Sequence, residues 1–554
     1  MHYAVIFVLL LSFVFGLGLL ARRLAIPYPI LFVIGGLLIG FLPHLPDLAL
    51  RSNANYMPYL PNLTLDPDFI FFIFLPPLLY IQAFNTSWRD FRRELRPISL
   101  LAIGLVVANT ITVAYVAHWL IPNFPLAAGL VLGAIISPPD AVAAAAIAQR
   151  LGLPRRVVTI LEGESLVNDA TSLVIFTMAL KAIAMPGAPL LGGIWWPGWF
   201  LWVAVGGVAV GLAVGWIISW IRRRIINDGA QIVLTISLLT PFASYLAGEM
   251  VHVSSVLAVV STGLYLGWEA PELVTSSIRL QVHAVWEMII YLLNGMVFVL
   301  IGVQLPGIVH NMRENPLPNI LGGTEGWVSH PVQYALVINL VCILVRLGWV
   351  FPGAYIPRLI SKRIRASEPC PDWRQVFIIG WSGMRGVVSL AAALALNGVP
   401  DFPRSHLVQF ISFSVIFTTL VLQGLTLPPL IRFFGVGDDG SAAKEETEAR
   451  TRMANAVLEK LSEIRSEEKF PESALNRVEQ VYRERALSLR DDLADQLGWS
   501  DRRHVQLSLR RLQRLMVATQ RRTLVEMRRN GLIGDDVLHK IEHELDLEEI
   551  RLKI

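Results

Sequence analysis

The 554-residue sequence is poor in charge: Asp, Glu, Lys and Arg make up 16% of it, against about 25% in a soluble domain. It has two cysteines, Cys342 and Cys370, too few for a disulfide framework. Histidines are scarce within the apolar runs, and neither an HExxH pattern nor a Ser/His pair at useful spacing is present, which argues against a membrane-embedded hydrolase. No short filter-like loop of the channel type is visible. Met1-His2-Tyr3 precedes the first apolar run without a basic region or a small-residue cleavage site, so that run is expected to stay as a helix rather than leave as a signal peptide.

What the sequence has is apolar length. Hydrophobic residues make up 54% of it. Windows such as 3–21 and 201–220 hold almost no charge and are long enough to cross a hydrocarbon core as helices. The expectation is an all-α polytopic membrane protein of about thirteen spans. Their approximate limits are 3–21, 28–44, 68–84, 97–120, 125–150, 157–184, 195–220, 229–248, 252–268, 283–306, 331–356, 374–398 and 406–432.

Basic residues sort onto alternate loops. One set holds Arg22 and Arg23; Arg89, Arg92, Arg93 and Arg96; Arg150, Arg155 and Arg156; Arg222 to Arg224; Arg279; and Arg358, Lys362, Arg363, Arg365 and Arg374. The other holds only Arg51, Lys181, Arg313 and Arg404. The richer set marks the cytoplasmic side. An inner-membrane protein with its N-terminus outside and its C-terminus inside follows. Trp195, Trp196, Trp199 and Trp202 read as an interfacial belt at an outer boundary.

The composition changes after residue 435. Residues 435–443 read as a linker, and 436–554 as a cytosolic helical tail. Val505, Leu509, Leu512 and Met516 repeat at helical spacing. Arginines in the tail are interleaved with acids and no nucleic-acid motif is evident, so a regulatory or dimerising role with an unknown partner is preferred to nucleic-acid binding.

The chemistry concentrates in ILEGESLVNDATSL, residues 160–173, where Glu162, Glu164 and Asp169 sit inside an apolar run. Three acids facing lipid would cost on the order of 8–10 kcal/mol, which helix packing does not require. Ser165 and Asp169 are four residues apart and share a helix face; Asn168 and Glu164 fall on an adjacent strip. Carboxylate, amide and hydroxyl oxygens are what a hard alkali cation prefers. In the preceding span, Pro138 and Pro139 remove two backbone donors directly before Asp140, so the helix should break there and line a polar cavity.

Two buried cations accompany the acids. Arg346 lies far from either end of its run, with Glu164 as its candidate partner. Arg385 lies among Gly380, Gly383 and Gly386, which would let a second span break and leave Arg385 as compensating charge. The two broken spans are the fifth and the twelfth, the arrangement expected if spans 1–6 are mirrored by 8–13 about the seventh.

GESLVNDATSLV, SPPDAVA, GMRGVVSLA, LPPLLY and NGMVFVLIGVQLP together resemble the bacterial sodium/proton antiporters of the monovalent cation:proton antiporter-1 family, over about residues 5–432. The resemblance implies that Asp169 binds sodium or a proton with Asn168 in support. It also implies that Asp140 and Ser165 contribute to the ion site, that Glu164 pairs with Arg346, and that the two broken helices cross. Pro139 stands where the family carries Thr, and Ile81 and Gln82 stand where many relatives carry an acid. It further implies a homodimer, with dimerisation helices at about 3–84 and 195–306 and an ion-binding core at about 97–184 and 331–432. No cofactor beyond the transported ions is implied. The expected activity is electroneutral exchange of a monovalent cation, sodium first and potassium as the alternative, for protons.

Overall fold

The structure is a computed structural model. It describes residues 2–24, 27–41, 67–140, 144–145, 147–148, 151–184, 196–225, 230–273, 276–314, 329–367, 370–399, 402–437, 440–466, and 471–483 without 474 and 481, together with 520. Among these residues there is helix and no strand. The chain divides into two units, Met1–Asp438 and Asp439–Ile554.

The first unit holds α1 (His2–Leu24), α2 (Tyr28–Phe41), α3 (Pro67–Asn85), α4 (Leu95–Leu120), α5 (Leu126–Ile136), α6 (Arg155–Ala184) and α7 (Trp196–Ile225). It continues with α8 (Ala230–Met250), α9 (Ser255–Leu273), α10 (Ser276–Glu314), α11 (Ser329–Ile360), α12 (Trp373–Trp381), α13 (Val387–Ala395) and α14 (Ser405–Phe434). Short helical turns fill Trp88–Arg93 and Lys362–Ser367. Among the described residues, seven helices are long and apolar enough to cross a membrane. They include α4, α6 and α14; α7, α8, α10 and α11 complete the set. Their lipid-facing character shows in exposed Trp202, Trp216, Leu336 and Leu340. Trp199 sits near α7's start with Lys181 at 5.5 Å over its ring, at the end of α6.

Helix association inside a membrane depends on close backbone approach and satisfied polar groups. Both operate here. A side chain at Gly36 of α2 would run into the Val299 carbonyl, and one at Gly302 of α10 into that of Val33, so α2 and α10 meet backbone to backbone. Across α7 and α9, the Thr262 hydroxyl donates to the Gly211 carbonyl at 2.8 Å. Trp286 of α10 donates to Ser237 of α8 at 3.0 Å.

Two helices loosen into π-turns, Leu100–Leu105 within α4 and Thr419–Gln423 within α14. Hydropathy is blind to such a change, and the sequence expected plain helices at both places. The fifth run, expected over 125–150, is helical only to Ile136 before its break. Gly435, at φ +63°, closes α14 in the left-handed region that glycine favours. The linker expected over 435–443 is shorter than its composition suggests. Helix α15 (Ser441–Ser466) already begins at Ser441, because Ala442 and Ala443 are strong helix formers. The spacing at Val505, Leu509, Leu512 and Met516 lies outside the described residues, as does Trp195.

Candidate functional site

Helix α5 stops where its donors run out. Ser137 is its last turn, and Pro138 and Pro139 offer no N–H. The Ser137 hydroxyl donates to the Gly133 carbonyl at 2.5 Å, and Asn109 and Thr110 of α4 lie within 3.1 and 2.9 Å of the same hydroxyl. The break is thereby pinned to α4. On its other side, the Asn168 amide of α6 donates to the Pro139 carbonyl at 2.7 Å. A carbonyl freed by the break thus has a partner, as an unwound segment in a membrane requires.

The second break runs from Ser382 to Gly386, between α12 and α13. The two breaks meet directly: the Asp140 amide donates to the Met384 carbonyl at 2.6 Å. Arg385, 2% exposed, is fixed by three contacts. Its backbone N–H reaches the Thr419 hydroxyl at 3.1 Å, its Nε the Ile136 carbonyl at 3.0 Å, and its Nη1 the Gly383 carbonyl at 2.5 Å. A cation therefore stands at the carbonyl end of α5, where the helix dipole is negative. The opposite sign stands at the start of α13. Gly386 caps that half-helix, and a side chain there would overlap the Asp140 carboxylate. An acid thus faces the positive end of a helix. These two half-helix ends, the last turn of α5 and the first of α13, each face the charge that the dipole favours.

Glu164 and Arg346 lie one layer away. Arg346 Nη1 and Nη2 reach the two carboxylate oxygens at 2.5 and 2.8 Å, and Nη2 also reaches the Ile379 carbonyl at 3.2 Å. Both side chains are almost fully buried. The pair is bidentate, the geometry in which Arg binds carboxylate best. Gly383 lies flat against the Arg346 stem, and a side chain there would displace it.

Between α3, α6 and the two breaks lies a cavity of about 30 Å³, room for one or two water-sized species. Asp140 and Pro138 line it from the first break, Asp169 and Ser165 from α6, and Gly386 and Ser389 from α13. Gln82 and three leucines of α3 close it. Among the site residues read from the sequence, Asp140, Asp169, Ser165, Pro138 and Gly386 thus share one space. Asn168 and Pro139 hold its wall together. Glu164, Arg346, Arg385 and Gly383 stand behind it. Glu162, half-buried near the start of α6, is not part of the lining.

Three polar contributors escaped the sequence reading. Ser389 is 1% exposed, lines the cavity, and its hydroxyl has no hydrogen-bond partner. Its position three residues past Gly386, in the first turn of a half-helix, was the available signal. Gln82 lines the cavity where the sequence suggested only the loss of an acid. Thr419 receives the Arg385 amide from a π-turn that leaves no mark on hydropathy.

Comparison with known proteins shows what the chain is similar to. The family model described as "Sodium/hydrogen exchanger, transmembrane" matches residues 9–433. A relative from Mycobacterium tuberculosis, described as an uncharacterized Na(+)/H(+) exchanger, is 34% identical over 540 residues, covering 96% of this chain and 93% of its own. A Bacillus subtilis protein described as a sodium, potassium, lithium and rubidium/H(+) antiporter is 34% identical over 371 residues, 65% of this chain and 53% of its own. The solved sodium proton antiporter MjNhaP1 of Methanocaldococcus jannaschii shares the fold, with TM-score 0.53 at 19% identity over 76% of this chain and 98% of that one. With the family model spanning nearly the whole membrane unit, this multi-pass chain belongs to the sodium/hydrogen exchanger family.

Proposed function

We propose that the protein exchanges a monovalent cation, sodium in the first instance, for protons across the cytoplasmic membrane, and that Asp169 is the carboxylate both ions share. The observation that carries this reading is the small cavity that Asp140, Asp169 and Ser165 line together where two helix breaks touch. A site of that size with two carboxylates and hydroxyl oxygens suits one hard monovalent ion. A proton on Asp169 removes the negative charge that holds the cation, so the two occupancies exclude each other. If only a loaded site crosses between faces, exchange is obligatory.

Helices α4–α6 and α11–α14 then form the moving core, about 97–184 and 331–432, against a scaffold of about 3–84 and 195–306. In this reading the chain has thirteen spans with inverted repeats, an outer N-terminus and a cytosolic tail over 436–554 open to a regulator, and it works as a homodimer in the inner membrane. Exchange is one for one and electroneutral, because Asn168 occupies the position beside Asp169 where a second acid would add a charge. The name of the Bacillus subtilis relative, which includes potassium, lithium and rubidium, supports a broader cation range as the second reading.

The test is transport in reconstituted vesicles, followed by a pH-sensitive dye on addition of sodium, potassium or lithium. Wild-type protein should show cation-dependent proton release, with half-saturation for the cation rising about tenfold for each pH unit of acidification where the proton prevails. Asp169→Asn should fold and show no exchange. Wild-type exchange in that variant would remove the central assignment, and a rate that follows an imposed membrane potential would remove electroneutrality.

A further inference from the structure

A second cavity, about 60 Å³, shares no lining residue with the first. Three arginines from three helices line it: Arg96 at the start of α4, Arg156 in the first turn of α6 and Arg358 near the end of α11. Among the described residues its lining includes no acid. Glu94, outside the lining, accepts from Arg156 at 3.1 Å and offsets part of the charge that the three guanidinium groups bring to the wall. The first turn of the 30-residue α6 also lacks an acid, and the positive end of its dipole adds to the same field.

The rest of the wall is apolar, built from Leu100, Ile160, Trp349 and Val350 among others. It is firmly set. The Trp349 indole donates to the Leu100 carbonyl at 3.0 Å, tying α11 to α4 beside the π-turn. Arg358 is anchored through Nη1 to the Ala354 carbonyl. The three arginines mark the ends of spans at the face richest in basic residues, the cytoplasmic side by the positive-inside rule. Leu95, Leu359 and Ile360, next to two of them in sequence, are exposed apolar side chains suited to lipid.

We propose that this cavity binds the phosphate headgroup of an anionic phospholipid of the cytoplasmic leaflet. Guanidinium forks match phosphate oxygens in pairs, and basic pockets between helices on this side of a membrane are suited to anionic lipid. The apolar wall favours a lipid over a free phosphate, which would gain nothing from Trp349 and Ile160. The occupant would bridge α4, α6, α11 and α12, the helices that carry Asp169, Glu164 and Arg346, from a site that touches none of those side chains.

The experiment uses the full-length protein in neutral detergent, titrated with phosphatidylglycerol whose acyl chains carry bromine, with brominated phosphatidylcholine as the control. Phosphatidylglycerol should quench a tryptophan component that is absent from Trp349→Phe, at concentrations where phosphatidylcholine does not. Arg96→Gln combined with Arg358→Gln should raise the phosphatidylglycerol concentration needed for half of that quenching about 30-fold, taking about fivefold per arginine at a membrane surface. If the double variant does not fold, Arg96→Gln alone should show the smaller weakening. Equal quenching by both lipids, or an unchanged affinity in a folded arginine variant, overturns the proposal. Loss of the phosphatidylglycerol-specific component on adding millimolar inorganic phosphate at constant ionic strength overturns the lipid assignment in favour of a free anion.

Discussion

The Glu164–Arg346 pair can be tested as an interaction rather than as two residues. Its side chains are 1% and 3% exposed and meet through two charge-assisted bonds of 2.5 and 2.8 Å. Removing either partner alone leaves a charge buried without its counterion, a loss of about 3–5 kcal/mol. Removing both together leaves an apolar gap that Leu and Met can fill, and replacing a buried ion pair in this way is often close to neutral. Glu164→Leu and Arg346→Met should therefore each lower the midpoint of thermal unfolding strongly. The double variant should unfold nearer to wild type than either single one. The assay is tryptophan fluorescence or size-exclusion monodispersity after heating in detergent, followed as a double-mutant cycle. The Ile379 carbonyl, which also takes Arg346 Nη2, sets a floor: the double variant should remain about 1 kcal/mol below wild type. Strictly additive losses in the two single variants would refute the argument, because they would mean that neither charge depends on the other.

Three further outcomes follow from the geometry of the crossing. Gly386→Ala places a methyl group where the Asp140 carboxylate lies, so exchange should fall at least tenfold with folded yield retained, measured by vesicle transport and by monodispersity. Asn168→Ala strands the Pro139 carbonyl and should cost about 1–3 kcal/mol of stability in addition to any effect on transport, read from the unfolding midpoint. Ser389→Ala removes a buried hydroxyl that faces the cavity. It should raise the cation half-saturation concentration about three- to tenfold with little change in maximal rate, and an unchanged value would remove Ser389 from the site.

The parts of this arrangement that can be read from the sequence are those in which a residue breaks a local rule. Two prolines in an apolar run remove donors that nothing else can supply, so the break after Ile136 is visible as soon as the run is recognised. Glycines at 380, 383 and 386 similarly announce the break between α12 and α13. Arg346 is a lone cation deep in its apolar run and so called for a buried acid, but three acids stand within 160–173, so the run alone made Glu164 a candidate and no more. Arg385 was legible only as a charge. Its partners are backbone carbonyls, which every residue has, so no side-chain pattern identifies Ile136 and Gly383 as its acceptors. The π-turns, and with them the placement of Thr419, change the hydrogen-bond register without changing hydropathy. Ser389 resembled any small residue of a packed helix until its unpartnered hydroxyl was seen to face the cavity.

The contact between the Asp140 amide and the Met384 carbonyl, together with the grip of Arg385 on the Ile136 carbonyl, locks the two breaks to each other. A hinge made of two interrupted helices would change its ligand distances as it bent. Under the exchange proposed above, two breaks stitched in this way would travel as one piece and present the same oxygens to the ion on either side of the membrane. Equal intrinsic affinity on both sides would make such a carrier kinetically symmetric. The direction of net flow is fixed by the two ion gradients in any such exchanger; the locked breaks bear on how fast each direction runs, not on its sign.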